Sequence, residues 1–410
     1  MPGASCGSQS VGWTRSWRQL VSMRDGWRKI TIGELCTLTK GTTPTQKAIP
    51  GQYPLVVTAA DSLSSDTYQF DGEAVCIPLV SSTGHGHASL KRVHYASGKF
   101  AVANIITALE ARNGMDVEMK FLWLLLDHGR DEIIVPLMKG TANVSVSQAA
   151  LASAHVILPP LDEQRRIVDL IESVDDVIDR ALRYTMECNA VSQARRKDLM
   201  KATDYVRMDS VATMASGAAF PSSEQGMSVG SIPFVKVSDM NLPGNETHIR
   251  RANNYVSREA AARLGAKLWP SGTVIFPKVG AALSTEKRRV LTEVTAIDNN
   301  VMGLVPIEGV SLTGFLFAFM RTVKLGLYAQ PGAVPSINQK HVRSIRAPRL
   351  SIEEQSAIID EAECLDAVMQ SSEFQLDRLR NLRANLLTTL LSGEHEIPAA
   401  YDALVEETAA

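Results

Sequence analysis

The side chains in this sequence with the types and spacing to do chemistry are mostly cations and amides. Lys287-Arg288-Arg289 follows the small-residue turn Gly280-Ala281-Ala282 at a short distance. Three adjacent cations can neutralise phosphates, and an arginine can also grip a guanine edge through two hydrogen bonds. A solvated loop is the plainer alternative. Arg250-Arg251 offers the same chemistry, as does Lys278, which follows Phe276-Pro277 where a strand should end and side chains emerge at a rim. Lys40, in the element Lys40-Gly41-Thr42-Thr43-Pro44, and Lys236, in the strand-like run Ile232–Val237, join these candidates for contact with DNA. Asn299 and Asn300, after Asp298, could read base edges through their amides, or the segment could cap a turn with its own side chains.

A second group lies in a Gly/His-rich stretch. His85-Gly86-His87, with His94 nearby, raises the question of a metal, but two histidines in a glycine turn have no third ligand at dependable spacing. Ser82, His85, His87, Lys91 and Arg92 are instead candidates for nucleic-acid contact. Ser81-Ser82-Thr83-Gly84 might cradle a phosphate, yet it lacks the lysine and following helix of a nucleotide loop, so a surface turn is favoured. Motifs for catalysis are absent. There is no G-x-x-x-x-G-K-[ST] and no Asn/Asp-Pro-Pro-aromatic methyl-transfer site. Glu118-Met119-Lys120 has nuclease-like spacing, but it runs into the apolar Phe121–Leu126, where flanking charges more simply open a buried helix.

Composition narrows the class. The chain has 410 residues, 45% of them hydrophobic and 21% charged, as in an ordinary globular protein with room for two or three domains. The scattered cysteines form no C-x-x-C and no framework, which argues for a reducing compartment and a cytoplasmic protein, against both a zinc ribbon and a disulfide scaffold. No apolar run approaches the roughly 18 residues of a membrane span. Residues 1–26 read as a disordered N-terminal extension without a secretory signal, with translation beginning at Met1 or at Met23. The net charge of −2 conceals an asymmetry: residues 202–349 carry 17 Lys+Arg against 10 Asp+Glu, while residues 350–410 carry 3 against 13. One surface therefore suits a polyanion and another does not.

The elements that must position these residues occur twice. Pro159-Pro160-Leu161-Asp162-Glu163-Gln164 opens one long amphipathic stretch and Pro348-Arg349-Leu350-Ser351-Ile352-Glu353-Glu354-Gln355 opens another. Leu35–Pro44 and Val211–Pro221 are both apolar-rich and end in a glycine turn, with proline close behind. Tyr53–Val57 matches Ile232–Val237, and Asp71–Ile77 matches Ser271–Phe276 as a turn feeding a strand. Val144–Gln148 matches Val334–Gln339. In the second long stretch Ile358, Ala362, Leu365, Met369, Leu376, Leu379, Leu386 and Leu390 recur in steps of three and four, with Ser372 and Arg383 in the gaps. That is the period of a coiled coil. Ile167, Ile171, Val174, Ile178 and Ala181 keep the same steps before the pattern weakens at Thr185 and Cys188. About 40 residues at 1.5 Å each make helices of roughly 60 Å, and two apolar seams are most simply buried by antiparallel pairing.

With its repeat, its Leu-Asp-Glu-Gln opening and the ending Leu390-Leu391-Ser392-Gly393-Glu394, the chain resembles the specificity (S) subunit of type I restriction-modification systems over residues 27–395. The resemblance implies an α+β fold with two pseudo-repeated target-recognition domains (27–158 and 202–349) separated by a pair of long antiparallel coiled-coil helices (159–201 and 350–393), with a tail at 394–410. It implies that each domain reads half of a split double-stranded DNA target. The helices would set the spacing and dock two methyltransferase subunits, with motor nuclease subunits joining. S-adenosylmethionine, ATP and magnesium would sit on those partners, and no cofactor or metal on this chain. Helix pairing and docking would fall to Ile167, Ile171, Val174, Ile178, Ile358, Leu365, Met369, Leu376, Leu379 and Leu386. The rival readings are an S-like subunit of another modification or phage-defence complex, a purely protein-binding helical scaffold, and an enzyme with an unrecognised site.

Overall fold

The structure, a computed structural model, describes residues 24–402 apart from 84, 85, 331 and 333. The expectations for residues 1–23 (including a start at Met23), for His85 and for residues 403–410 lie outside the described residues. The chain forms two compact units, one from the described residues of Met1–Arg180 and Asp377–Ala410, the other from Ala181–Leu376. The linear segments expected above are thus combined differently: each unit takes one half of each long helix.

In the first unit a six-stranded sheet runs in the order Cys36–Lys40, Ile106–Ala111, Phe70–Pro78, His94–Val102, Tyr53–Val56, Leu63–Ser65. Helix Met119–His128 buries Phe121, Leu122 and Leu125 against Val75, Ile77 and Leu109 of that sheet. The apolar run Phe121–Leu126 therefore belongs to the core, and Lys120 pairs with Glu172 at 2.5 Å. In the second unit Ala212–Ser216, Val301–Pro306, Val274–Pro277, Arg289–Leu291 and His248–Ile249 form one sheet. Tyr255–Val256, Ile232–Val235, Thr295–Ile297 and Leu268–Trp269 form another. Helix Thr313–Thr322 packs Phe315, Leu316 and Phe319 on Val274, Phe276 and Leu304.

The internal repeat is a repeat of hydrogen bonding. Cys36–Lys40 lies antiparallel to Ile106–Ala111, as Ala212–Ser216 does to Val301–Pro306. Tyr53–Val56 lies parallel to the end of His94–Val102, and Ile232–Val235 lies parallel to Thr295–Ile297. Gly41 N–H donates to Ile106 O and Gly217 N–H to Val301 O. A Cβ on Gly41 would stand 2.2 Å from Ala103 O, and one on Gly217 2.0 Å from Ile297 O, so only glycine lets the chain cross there. One matched pair departs from expectation. Asp71-Gly72 is inside the long strand Phe70–Pro78, opposite Lys99 and Gly98, whereas Ser271-Gly272 is a turn. The first unit extends this hairpin into a ribbon that the second lacks.

The long helices span Leu161–Leu199 and Ile352–Leu391. Ser351 caps the second: its hydroxyl accepts the Glu354 N–H at 3.2 Å while the Glu354 carboxylate accepts the Ser351 N–H at 2.7 Å. The second helix ends as Ser392-Gly393 implies, with Gly393 at φ 74°. The least exposed positions of each helix keep the three-four spacing, from Gln164, Ile167, Ile171, Val174 and Ile178 onward and from Ile358, Ala362, Leu365 and Met369 through Leu376, Leu379, Leu386 and Leu390. Within the first unit Asp175 pairs with Arg383. Within the second, Arg196 pairs with Asp366 at 2.9 Å and Arg195 with Glu361. In the first unit Arg166 meets Ile397 and Asp402 while Asp175, further along the first helix, meets Arg383, so these stretches run antiparallel. Where the apolar pattern fades, Thr185, Cys188, Ser192 and Arg196 continue the inward stripe. Arg196 belongs to the interior, its guanidinium held by Ala362 O and Asp366.

Each long helix is fastened to its unit by a glutamine. Gln164 is fully buried; its Oε1 accepts the Glu118 N–H at 2.9 Å, and its Nε2 donates to Pro159 O at 2.9 Å and Asp116 O at 3.3 Å. Gln355 accepts from Leu312 N–H at 2.8 Å and donates to Leu350 O at 3.0 Å and Val310 O at 2.9 Å. Glu118 and Leu312 are the N-cap residues of the equivalent helices Met119–His128 and Thr313–Thr322. The glutamine supplies the partners that a buried helix start and the chain beside it require.

Candidate nucleic-acid interface

In the second unit the strands Ala212–Ser216, Ile232–Val235, Val274–Pro277 and Thr295–Ile297 end together, and four of the expected residues meet there. Asp298 N–H donates to Val235 O at 2.9 Å, next to Lys236. Lys278 N–H donates to Asn300 O at 2.9 Å, and Lys278 Nζ donates to Ser216 Oγ at 2.9 Å. Lys236 Nζ donates to Gln225 Oε1 at 2.9 Å. Asp298 takes the turn-capping role, its Oδ1 accepting the Asn300 N–H at 2.7 Å. The side chains of Asn299 and Asn300 are left exposed. Two lysines held at their tips by neutral oxygens, beside two outward amides, can offer charge to a phosphate and donor-acceptor pairs to a base edge.

The same end of the first unit carries Lys40, Gly41 and Thr42, tied together by Gln69: its Oε1 accepts the Thr42 N–H and its Nε2 donates to Lys40 O at 2.9 Å. Leu79 N–H donates to Ile105 O as Lys278 does to Asn300, so Asn104 and Ile105 occupy the places of Asn299 and Asn300. Asn104, Gln69, Ser216 and Gln225 were not singled out from sequence. Asn104 could have been found by aligning Gly41 with Gly217 and reading the repeat forward.

Ser82, His87, Lys91 and Arg92 share one loop, which leaves the strand end at Leu79. Ser81 Oγ donates to His87 O at 2.6 Å, Thr83 Oγ1 meets Ser89 Oγ at 2.9 Å, and Ser82 Oγ accepts the Lys91 N–H at 3.0 Å. Among the described residues of this segment, His87 and Lys91 are exposed and Arg92 is half-buried. His94 stands on a strand, where burial and the nearby Arg92 charge hold its imidazole below the usual range. Among the described residues no group of three His, Cys, Asp or Glu could hold a metal. Cys36 and Cys76 are free and buried, and burial pushes both thiols up to about 12.

The basic triplet requires a correction. Arg288 has a side chain 1% exposed; its guanidinium donates to Met320 O at 3.1 Å and Val323 O at 2.8 Å and pairs with Glu286 at 2.6 Å. It satisfies carbonyls at the C-terminal end of helix Thr313–Thr322 and opposes the negative end of that helix. Burial pulls its pKa down, and Glu286 opposes the shift. Arg288 cannot touch DNA. Arg289 is half-buried and donates to Met240 O at 2.9 Å and Arg288 O at 2.7 Å. Lys287 is partly exposed, with its ammonium on Asn241 Oδ1. Arg250 is exposed, while Arg251 is exposed but donates to Pro243 O. Lys287, Arg289, Arg250 and Arg251 form a further basic area around the loop 240–251.

Residues 24–182 match the family profile described as Type I restriction modification DNA specificity domain. The Type I restriction enzyme EcoDI specificity subunit of Escherichia coli is 24% identical over 422 residues, covering 90% of this chain and 88% of that one. The S subunit of a Type-I restriction-modification system from M. genitalium superposes with a TM-score of 0.51 at 15% identity, covering 90% of this chain and 98% of that one. A chain from work on complex assembly and conformational transition of the type I R-M system gives 0.60 at 16% identity, over 91% and 99%. At these identities the solved structures speak for a shared α+β fold.

Proposed function

From these similarities we propose that the chain is a specificity subunit of a type I restriction-modification system and that each of its units reads one half of a bipartite DNA sequence. It has no catalysis of its own, because in this family those activities belong to partner subunits. The observation that carries the proposal is the repeated strand end. A matching hydrogen-bonded frame, closed by Gly41 and Gly217, presents different side chains: Lys40, Asn104, His87 and Lys91 in one unit, Lys236, Lys278, Asn299 and Asn300 in the other. A constant frame with variable contents suits two different half-sequences read in the same manner.

The paired helices would set the unread gap and, with the adjoining faces, dock two methyltransferase subunits; motor nuclease subunits would complete the assembly. S-adenosylmethionine, ATP and magnesium would be bound by those partners, in the cytoplasm. No helix among the described residues is long and apolar enough to cross a membrane. The test is to co-express the chain with its partner methyltransferase and sequence the methylome. A split motif whose two halves respond separately to substitutions in the two units is expected. A continuous motif, or one that ignores the second unit, would overturn the proposal.

A further inference from the structure

We infer that Gln164 and Gln355 are positioning residues that fix how each recognition unit is held on its helix, and thereby how strictly the complex enforces the length of the unread gap. The inference rests on the functional reading above and adds residues to it. Each glutamine makes the same three bonds: one accepted from the N-cap N–H of a core helix and two donated to carbonyls, one ahead of that helix and one at the start of the long helix. The amide thus joins three backbone points belonging to two elements. It lies where water cannot substitute, at 0% exposure for Gln164 and 1% for Gln355. Apolar packing alone is non-directional, and Ile167, Val168 and Ile171 could slide or tilt against the core without losing much contact. Directional bonds to peptide groups forbid that motion.

Small tilts matter at the scale of DNA. Without its share of the long helices, the segment 27–158 has a radius of gyration of about 14 Å, so a point roughly 28 Å from the clasp moves about 3.4 Å for a tilt of about 7°. That displacement is about one base-pair rise. A loosened clasp would therefore let a unit reach a half-sequence one base pair nearer or farther, while the residues that read the half-sequence remain unaltered.

The experiment uses the full chain co-expressed with the partner methyltransferase, wild type in parallel with Gln164→Met and Gln355→Met. Methylation is mapped across sites that carry both half-sequences at the native gap and at gaps one base pair shorter and longer. The preference for the native gap should fall by about tenfold, the effect of a lost buried bond, with both half-sequences retained. Gln164→Glu and Gln355→Glu keep the length and the acceptor for the helix N–H, and are scored the same way if a methionine variant does not accumulate. An assembled variant with wild-type gap preference overturns the inference, as does one whose half-sequence itself changes. A wild-type protein that yields no split motif would instead refute the functional reading, so the two failures are distinguishable.

Discussion

Replacing Arg288 with alanine should unfold more than it unbinds. The substitution removes hydrogen bonds to Met320 O and Val323 O and an ion pair with Glu286, all made by a side chain that is 1% exposed. Truncating one partner of a buried pair typically costs 3–5 kcal/mol, because the remaining group is left uncompensated. Here the remaining carboxylate of Glu286 is 28% exposed and can rehydrate, which places the loss near the lower end, at about 3 kcal/mol. For a unit of this size, with about 2–4 °C of melting temperature per kcal/mol, the midpoint should fall by roughly 6–12 °C. Calorimetry of Arg288→Ala beside Lys287→Ala separates the two roles. Lys287→Ala should melt as wild type, and if its ammonium meets a phosphate the slope of log affinity against log salt should fall by about 0.9. An Arg288→Ala protein with unchanged melting and a reduced salt slope would refute the assignment of Arg288 to the interior.

Asn299→Ala with Asn300→Ala should leave stability intact and relax base preference within one half of the methylated motif only, read by methylome sequencing; loss of preference in both halves would contradict it. Gly217→Ala should destabilise strongly, since its Cβ would lie 2.0 Å from Ile297 O, and limited proteolysis should show a second unit more readily cut. Inserting matched heptads near Thr185 and near Ser372 adds about 10.5 Å to each helix while keeping the seam. The methylated motif should keep both halves with a gap longer by about three base pairs, and methylation at the original spacing would show that the helices do not set it. Truncation before Ser351 should abolish recruitment of methyltransferase subunits, checked by co-purification.

The sequence determined what is local and periodic. The three-four spacing from Ile358 to Leu390, the Ser351-x-x-Glu354 cap and the Ser392-Gly393 stop each report a short-range rule, and the helix Ile352–Leu391 follows from them. The recurring Glu-Gln phrase was legible too, though not its purpose. What that amide bonds to, Glu118 in one unit and Leu312 in the other, lies 46 and 43 residues away. Only tertiary structure could separate Arg288 from Lys287. Both residues precede the strand Arg289–Leu291, and there the chain sends one cation under the end of a helix and its neighbour toward Asn241. Likewise, residues 236, 278 and 300 become neighbours because parallel and antiparallel pairings bring distant strand ends to one place. Composition announces that cations are present. Which of them face outward is decided by the pairing of strands far apart in the chain.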